Sequence, residues 1–101
     1  MSTINADSWL AAIMSRDAMT FEEAYFGNRP APSIMGPKII AKLSETRDSY
    51  TRGKLIELLG ECGDSSVIKI LESELNNPDP AMQEWAKISI DSLKGGDTWQ
   101  K

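Results

Sequence analysis

Few side chains in this 101-residue sequence are suited to covalent or acid–base chemistry, and their types narrow what the protein does. There is no histidine and a single cysteine, Cys62. Without imidazole there is no Ser/His/Asp relay and no Cys/His pair. One thiol and no histidine also leave an ordinary zinc site without ligands. Cys62 is flanked by Glu61 and Asp64 and has no base beside it, surroundings that favour a packed thiol at a helix end over a nucleophile. The carboxylate pairs Glu22-Glu23 and Glu72/Glu74 sit where solvent-facing helix positions are expected, which suits solubility more than general acid–base work. Gly27, Gly36, Gly53, Gly60 and Gly63 form no phosphate-binding loop and suit turns or close helix contacts. The expectation is a chain that is not an enzyme and that uses no cofactor and no metal.

What remains is recognition chemistry, and it depends on the elements that carry it. Two stretches of the chain read alike, 34–59 and 67–93. Leu43 matches Leu75, Thr51-Arg52 matches Met82-Gln83, Leu55 matches Ala86 and Leu59 matches Ile90. Each stretch is an apolar-periodic helix, a polar turn containing Asp, and a second such helix. Self-similarity at this period signals stacked helix pairs, because one pair alone cannot bury its apolar face.

Six helices are expected, with no strand-like alternation to compete. The first runs from Asn5, Asp7 or Ser8 to about Arg16, with Trp9, Leu10, Ile13 and Met14 on one face. Thr20 and Glu23 have capping-box spacing and predict a short second helix with Phe21, Ala24 and Tyr25 inward and Phe26 outward. After the stiff 29–32 connector, Ser33 is a candidate cap for a third helix that becomes regular from about Met35 to Ser44, since Pro37 belongs in a first turn. The fourth helix is expected over Ser49–Glu61, with Thr51, Leu55, Leu58, Leu59 and Cys62 inward. Gly63 and Asp64 break it. Ser65 or Ser66 caps a fifth that buries Val67, Ile68, Leu71 and Leu75. A sixth starts near Pro80 and runs to about Leu93, stopped by Gly95-Gly96.

Residues 34–94 resemble HEAT repeats, and more closely the short HEAT-like repeats of phycobilisome lyases. The resemblance rests on Leu43 and Leu75 closing the first helix of each pair, on Asp48 and Asp79 in the turns, and on the apolar-Arg pair Thr51-Arg52 opening a second helix. It implies an all-α fold, a short α-solenoid of antiparallel helix hairpins with right-handed stacking and protein-binding surfaces. It also implies an Asp–Arg contact along the stack, which Met82-Gln83 interrupts. One domain is expected: an atypical N-terminal helical cap over 1–33, repeats over 34–64 and 65–94, and a tail over 95–101.

In such a stack the second helices line the concave side. Tyr50, Arg52, Lys54, Glu57, Gln83, Glu84, Lys87 and Asp91 are therefore candidate protein-binding residues, with aromatic and Arg positions the strongest. Trp85 and Ile88 widen the apolar face of the last helix, on the flank where a further repeat would dock. Either Trp99 folds back over that flank, or the flank takes a partner or a second copy.

The net charge of −4 comes mainly from residues 51–101, and there is no Lys/Arg cluster to serve as a nucleic-acid footprint. A basic protein partner fits this charge. No apolar run approaches a membrane span, and residues 1–15 carry no basic leader, so a cytoplasmic location is expected. The leading expectation is a non-enzymatic protein-interaction module, a monomer or a weak homodimer. The alternatives are a small acidic inhibitor, such as an immunity protein that blocks a toxin or nuclease, and an accessory subunit of a lyase-like enzyme.

Overall fold

Three aspartates open three helices. Asp17, Asp48 and Asp79 are evenly spaced along the chain. A short polar side chain just before a helix can accept from backbone N–H groups that have no partner within it. Asp17 Oδ2 accepts the N–H and the hydroxyl of Thr20 at 3.0 and 2.6 Å. Asp48 Oδ2 accepts the same two groups of Thr51 at 3.0 and 2.7 Å. Asp79 precedes Pro80, and its Oδ1 accepts the N–H of Ala81 at 2.9 Å.

The computed structural model describes residues 5–62 and 67–95. The expected breaks and caps at Gly63, Asp64, Ser65, Ser66 and Gly96 lie outside the described residues, as does the tail with Trp99. Six helices form among the described residues: α1 Ala6–Ile13, α2 Ala18–Phe26, α3 Pro32–Glu45, α4 Ser49–Glu61, α5 Ile68–Glu74 and α6 Pro80–Gly95. The fold is all-α, with no strand among the described residues. Short turns join α1 to α2, α3 to α4 and α5 to α6, and each pair packs on itself.

Several boundaries differ from the sequence expectation. The capping box at Thr20 and Glu23 does not form, because Asp17 caps α2 three residues earlier and takes Thr20 as its partner. Of the three candidate caps for α1, Asn5 serves: its side chain accepts the N–H of Ser8 at 2.9 Å. The helix ends at Ile13, short of Arg16. No side chain caps α3, which begins at Pro32 and carries Pro37 inside it. The N–H that Pro37 lacks would have met the carbonyl of Ser33 in the exposed opening of the helix, so the cost of the interruption is reduced. The register of Asp17 places the N-terminal pair in the same period as the other two, which the apolar pattern of residues 1–33 does not reveal.

The core is built around α4. Eight of its thirteen residues are buried: Thr51, Gly53, Leu55, Ile56, Leu58, Leu59, Gly60 and Glu61. Such a helix is central, since a surface helix buries only one stripe. α3 covers it with Met35, Ile39 and Leu43, α1 adds Leu10 and Ile13 to the same cluster, and α6 brings Met82, Ala86 and Ile90. The closest approach is between Gly60 and Ser89. A Cβ on Gly60 would lie 2.7 Å from the Cα and Cβ of Ser89. The Ser89 hydroxyl then reaches the carbonyl of Ile56 at 2.8 Å, so two helices in near backbone contact also share a buried hydrogen bond.

Polar contacts join consecutive turns. Arg16 Nη2 donates to Asp48 Oδ1 at 2.8 Å, and Ser49 Oγ donates to Asp79 Oδ2 at 2.5 Å. The Asp–Arg contact implied by the resemblance takes a different form, because the Arg52 guanidinium is directed away from the Asp48 carboxylate. Its guanidinium donates to the carbonyls of Leu43 and Thr46 at 2.8 and 2.7 Å and pairs with Glu74 on α5. Glu74 is therefore buried, where the sequence placed it with Glu72 on a solvent face.

Two outcomes follow from this packing. Gly60→Ala overpacks the α4–α6 contact and lowers stability by about 1–3 kcal/mol, while Leu55→Ala, at a fully buried position, costs about 2–5 kcal/mol, both read by urea unfolding. The three aspartates have carboxyls held below the usual carboxylate range, by the bonds from Thr20, from Thr51, and from Ser49 and Ala81 respectively. A depressed folded-state value gives stability that is present above the ordinary value, near pH 4, and lost as pH falls through the folded value. The melting temperature falls on acidification below about pH 4, and the fall is shallower in Asp48→Asn, which keeps a capping side chain but no longer titrates.

Candidate functional site

Of the second helices, α4 packs closely on α6, and α2 meets α4 through side chains. Tyr25 on α2 donates its hydroxyl to Glu57 Oε1 on α4 at 3.1 Å. Lys54 on α4 donates to the carbonyl of Ser15 at 3.0 Å, in the turn before α2. A groove of about 340 Å³ opens between α4 and α6. Its α4 side is Ser49, Tyr50, Gly53, Lys54 and Glu57, and its α6 side is Ala81, Met82 and Trp85.

The groove exists because of two small residues. Gly53 has no side chain, and the Trp85 ring lies over it; a Cβ there would be 3.1 Å from Trp85 Nε1. Ala81 keeps the opposite edge shallow. The floor is thus apolar and the walls are aromatic. Tyr50 is 50% exposed, yet its ring is held in place by cations on it. Lys54 Nζ is 4.2 Å from the Tyr50 centroid and 4.1 Å from that of Phe21, and the Arg16 guanidinium is 5.0 Å from Tyr50. Lys54 and Glu57 make a charged rim of both signs. The indole N–H of Trp85 makes no hydrogen bond among the described residues, so an incoming acceptor finds a donor beside the apolar floor.

The groove gathers part of the sequence-derived surface. Tyr50, Lys54, Glu57 and Trp85 line it together. Arg52 and Gln83 are engaged within the chain. Arg52 turns inward to Glu74 and two carbonyls, and Gln83 Nε2 donates to the carbonyl of Asn77 at 2.7 Å, closing the turn before α6. Glu84, Lys87 and Asp91 are exposed on the side of α6 opposite Ser89, away from α4. That side is polar. Trp85 faces the groove instead, and Ile88, 45% exposed, continues the same stripe one turn later. Whether Trp99 covers that stripe lies outside the described residues.

Residues missed from sequence cluster at the other end of the α2–α4 contact. Arg29 and Glu61 are both 4% exposed, with Arg29 Nη1 3.7 Å from Glu61 Oε2. Arg29 also donates from Nη2 to the carbonyl of Tyr25 at 2.9 Å and lies over the Tyr25 and Trp9 rings, 4.7 and 6.0 Å from their centroids. The proline-flanked connector around Arg29 hides this role, since nothing local marks a buried cation. Among the described residues no group of three His, Cys, Asp or Glu is placed to hold a metal ion, and no helix is long and apolar enough to cross a membrane. A scan against family models and searches of curated proteins and of solved structures return no match to the chain.

Burial, with the charges of Glu57 and Glu61 nearby, pushes the Tyr25 hydroxyl up to about 12. A raised folded-state value means the Tyr25 contribution is fully present below the ordinary tyrosine value, near pH 10, and lost as pH rises toward 12. Thermal unfolding between about pH 9 and pH 12 shows a decline that is shallower in Tyr25→Phe, which has no hydroxyl to ionise.

Proposed function

We propose that the chain is a non-enzymatic protein-binding module that takes an apolar side chain of a partner polypeptide into the α4–α6 groove. The observation that carries this reading is the pairing of an exposed, cation-braced Tyr50 with Trp85 across a glycine and alanine floor. Tyr and Trp bury large areas while losing little rotamer freedom, and they dominate interface energies. Lys54 and Arg16 hold the Tyr50 ring before any partner arrives, which reduces the ordering cost of binding. The Trp85 N–H suits a backbone carbonyl of the bound segment. The resemblance of residues 34–94 to HEAT repeats supports the same side of the stack as the binding side.

Selection of a displayed peptide library on the purified protein tests this. Enriched peptides carry an apolar anchor, and Tyr50→Ala or Trp85→Ala weakens their binding about tenfold or more in calorimetry. Gly53→Leu, which displaces the Trp85 ring, does the same, and Glu84→Ala on the outer side of α6 leaves affinity unchanged. Peptides that bind all four variants alike would place recognition elsewhere and sink the proposal.

A further inference from the structure

α2 is the one helix among those described that buries none of its residues. Phe21, Ala24 and Tyr25 on its inner side are half-buried, and its outer side carries Met19, Glu22, Glu23 and Phe26. Offsets of three, four and seven residues put these four on one stripe, about 10 Å long. Met19 is 70% exposed and Phe26 69%, the two most exposed large apolar side chains among the described residues. Phe26 is held edge-on against the Tyr25 ring, with centroids 5.0 Å apart. Glu22 and Glu23 are exposed between the two apolar ends and make no ion pair among the described residues.

We infer that the outer face of α2 is a second docking surface, independent of the groove, and that its occupant is a basic amphipathic segment of a partner protein. A Lys or Arg pair in that segment meets Glu22 and Glu23, while apolar residues on either side of the pair cover Met19 and Phe26. Charge decides the occupant. A second copy joined face to face through α2 would bring four carboxylates together, and like charges in contact oppose association. An anionic membrane surface is repelled by the same two groups, despite the exposed Phe26 and Met19. A cationic segment gains from both, and the net charge of −4 favours its approach.

The test uses the full chain and a library of displayed peptides, with the double variant Glu22→Lys/Glu23→Lys as the counter-selection target. Peptides retained by the parent alone should carry a basic pair flanked by apolar residues. They should bind at least about tenfold more weakly to the double variant and to Phe26→Ala, and more weakly as salt rises from about 0.05 M to about 0.5 M. Trp85→Ala should leave them unaffected, which separates this face from the groove. These positions are exposed, and circular dichroism checks that the variants stay folded; Met19→Ala gives a second apolar probe. A retained set with no basic bias, or affinity indifferent to Glu22, Glu23 and Phe26, overturns the inference. So does a dimer in sedimentation that Phe26→Ala abolishes, which makes the occupant a second copy. Flotation with anionic vesicles that Phe26→Ala abolishes also overturns it, in favour of a membrane.

Discussion

The fold depends on one helix being surrounded. α4 is packed between α3 and α6, and the contact with α6 is possible only because Gly60 lets the backbones meet at Ser89. Close approach of this kind uses dispersion fully and leaves no room for adjustment. It also positions everything else. With α6 drawn tight at Gly60 and Ser89, the two helices meet again one and two turns earlier at Gly53, where Trp85 covers the missing side chain without filling the space in front of it. The groove is the open part of that same contact.

Polar residues divide into those that hold the stack and those left over. Asp17, Asp48 and Asp79 each satisfy helix N-termini, and Asp48 and Asp79 also receive a donor from the preceding unit, Arg16 and Ser49. Such exposed contacts are individually weak, but they recur at the same point of successive pairs and set the alignment of their turns. Arg52 and Glu74, and Arg29 and Glu61, act at greater depth. For buried charges the dominant effect is the penalty of losing a partner, so these pairs restrict which arrangement of helices is tolerable. Little recognition chemistry remains in them. Among the described residues, side chains left exposed by the stack include Tyr50 beside the groove and Met19, Glu22, Glu23 and Phe26 on α2. The two proposed docking surfaces therefore lie on different helices of one small domain.

By itself the sequence determined the class of fold and the limits of α4. The span of α4 matches its apolar-periodic segment, and the internal repeat identifies the helix pairs, because both signals are local and are carried by regular spacing of apolar side chains. It also marked Phe26 as outward, since helical phase suffices for that. The Asp17 register was equally present in the sequence, at the same distance from Asp48 as Asp48 is from Asp79, but Thr20 and Glu23 offered a competing cap. The tertiary structure alone decided how long polar side chains are used. Arg52, Gln83 and Glu74 have helical phases compatible with a solvated face, yet their reach allows them to turn inward once neighbouring carbonyls or an opposite charge are brought close. Arg29 is the extreme case. It is buried between the Trp9 ring of α1, the Tyr25 ring of α2 and the Glu61 carboxylate of α4, and only Tyr25 is near it in the chain. No local pattern encodes a contact assembled from three separate helices, because its energy exists only after they have packed.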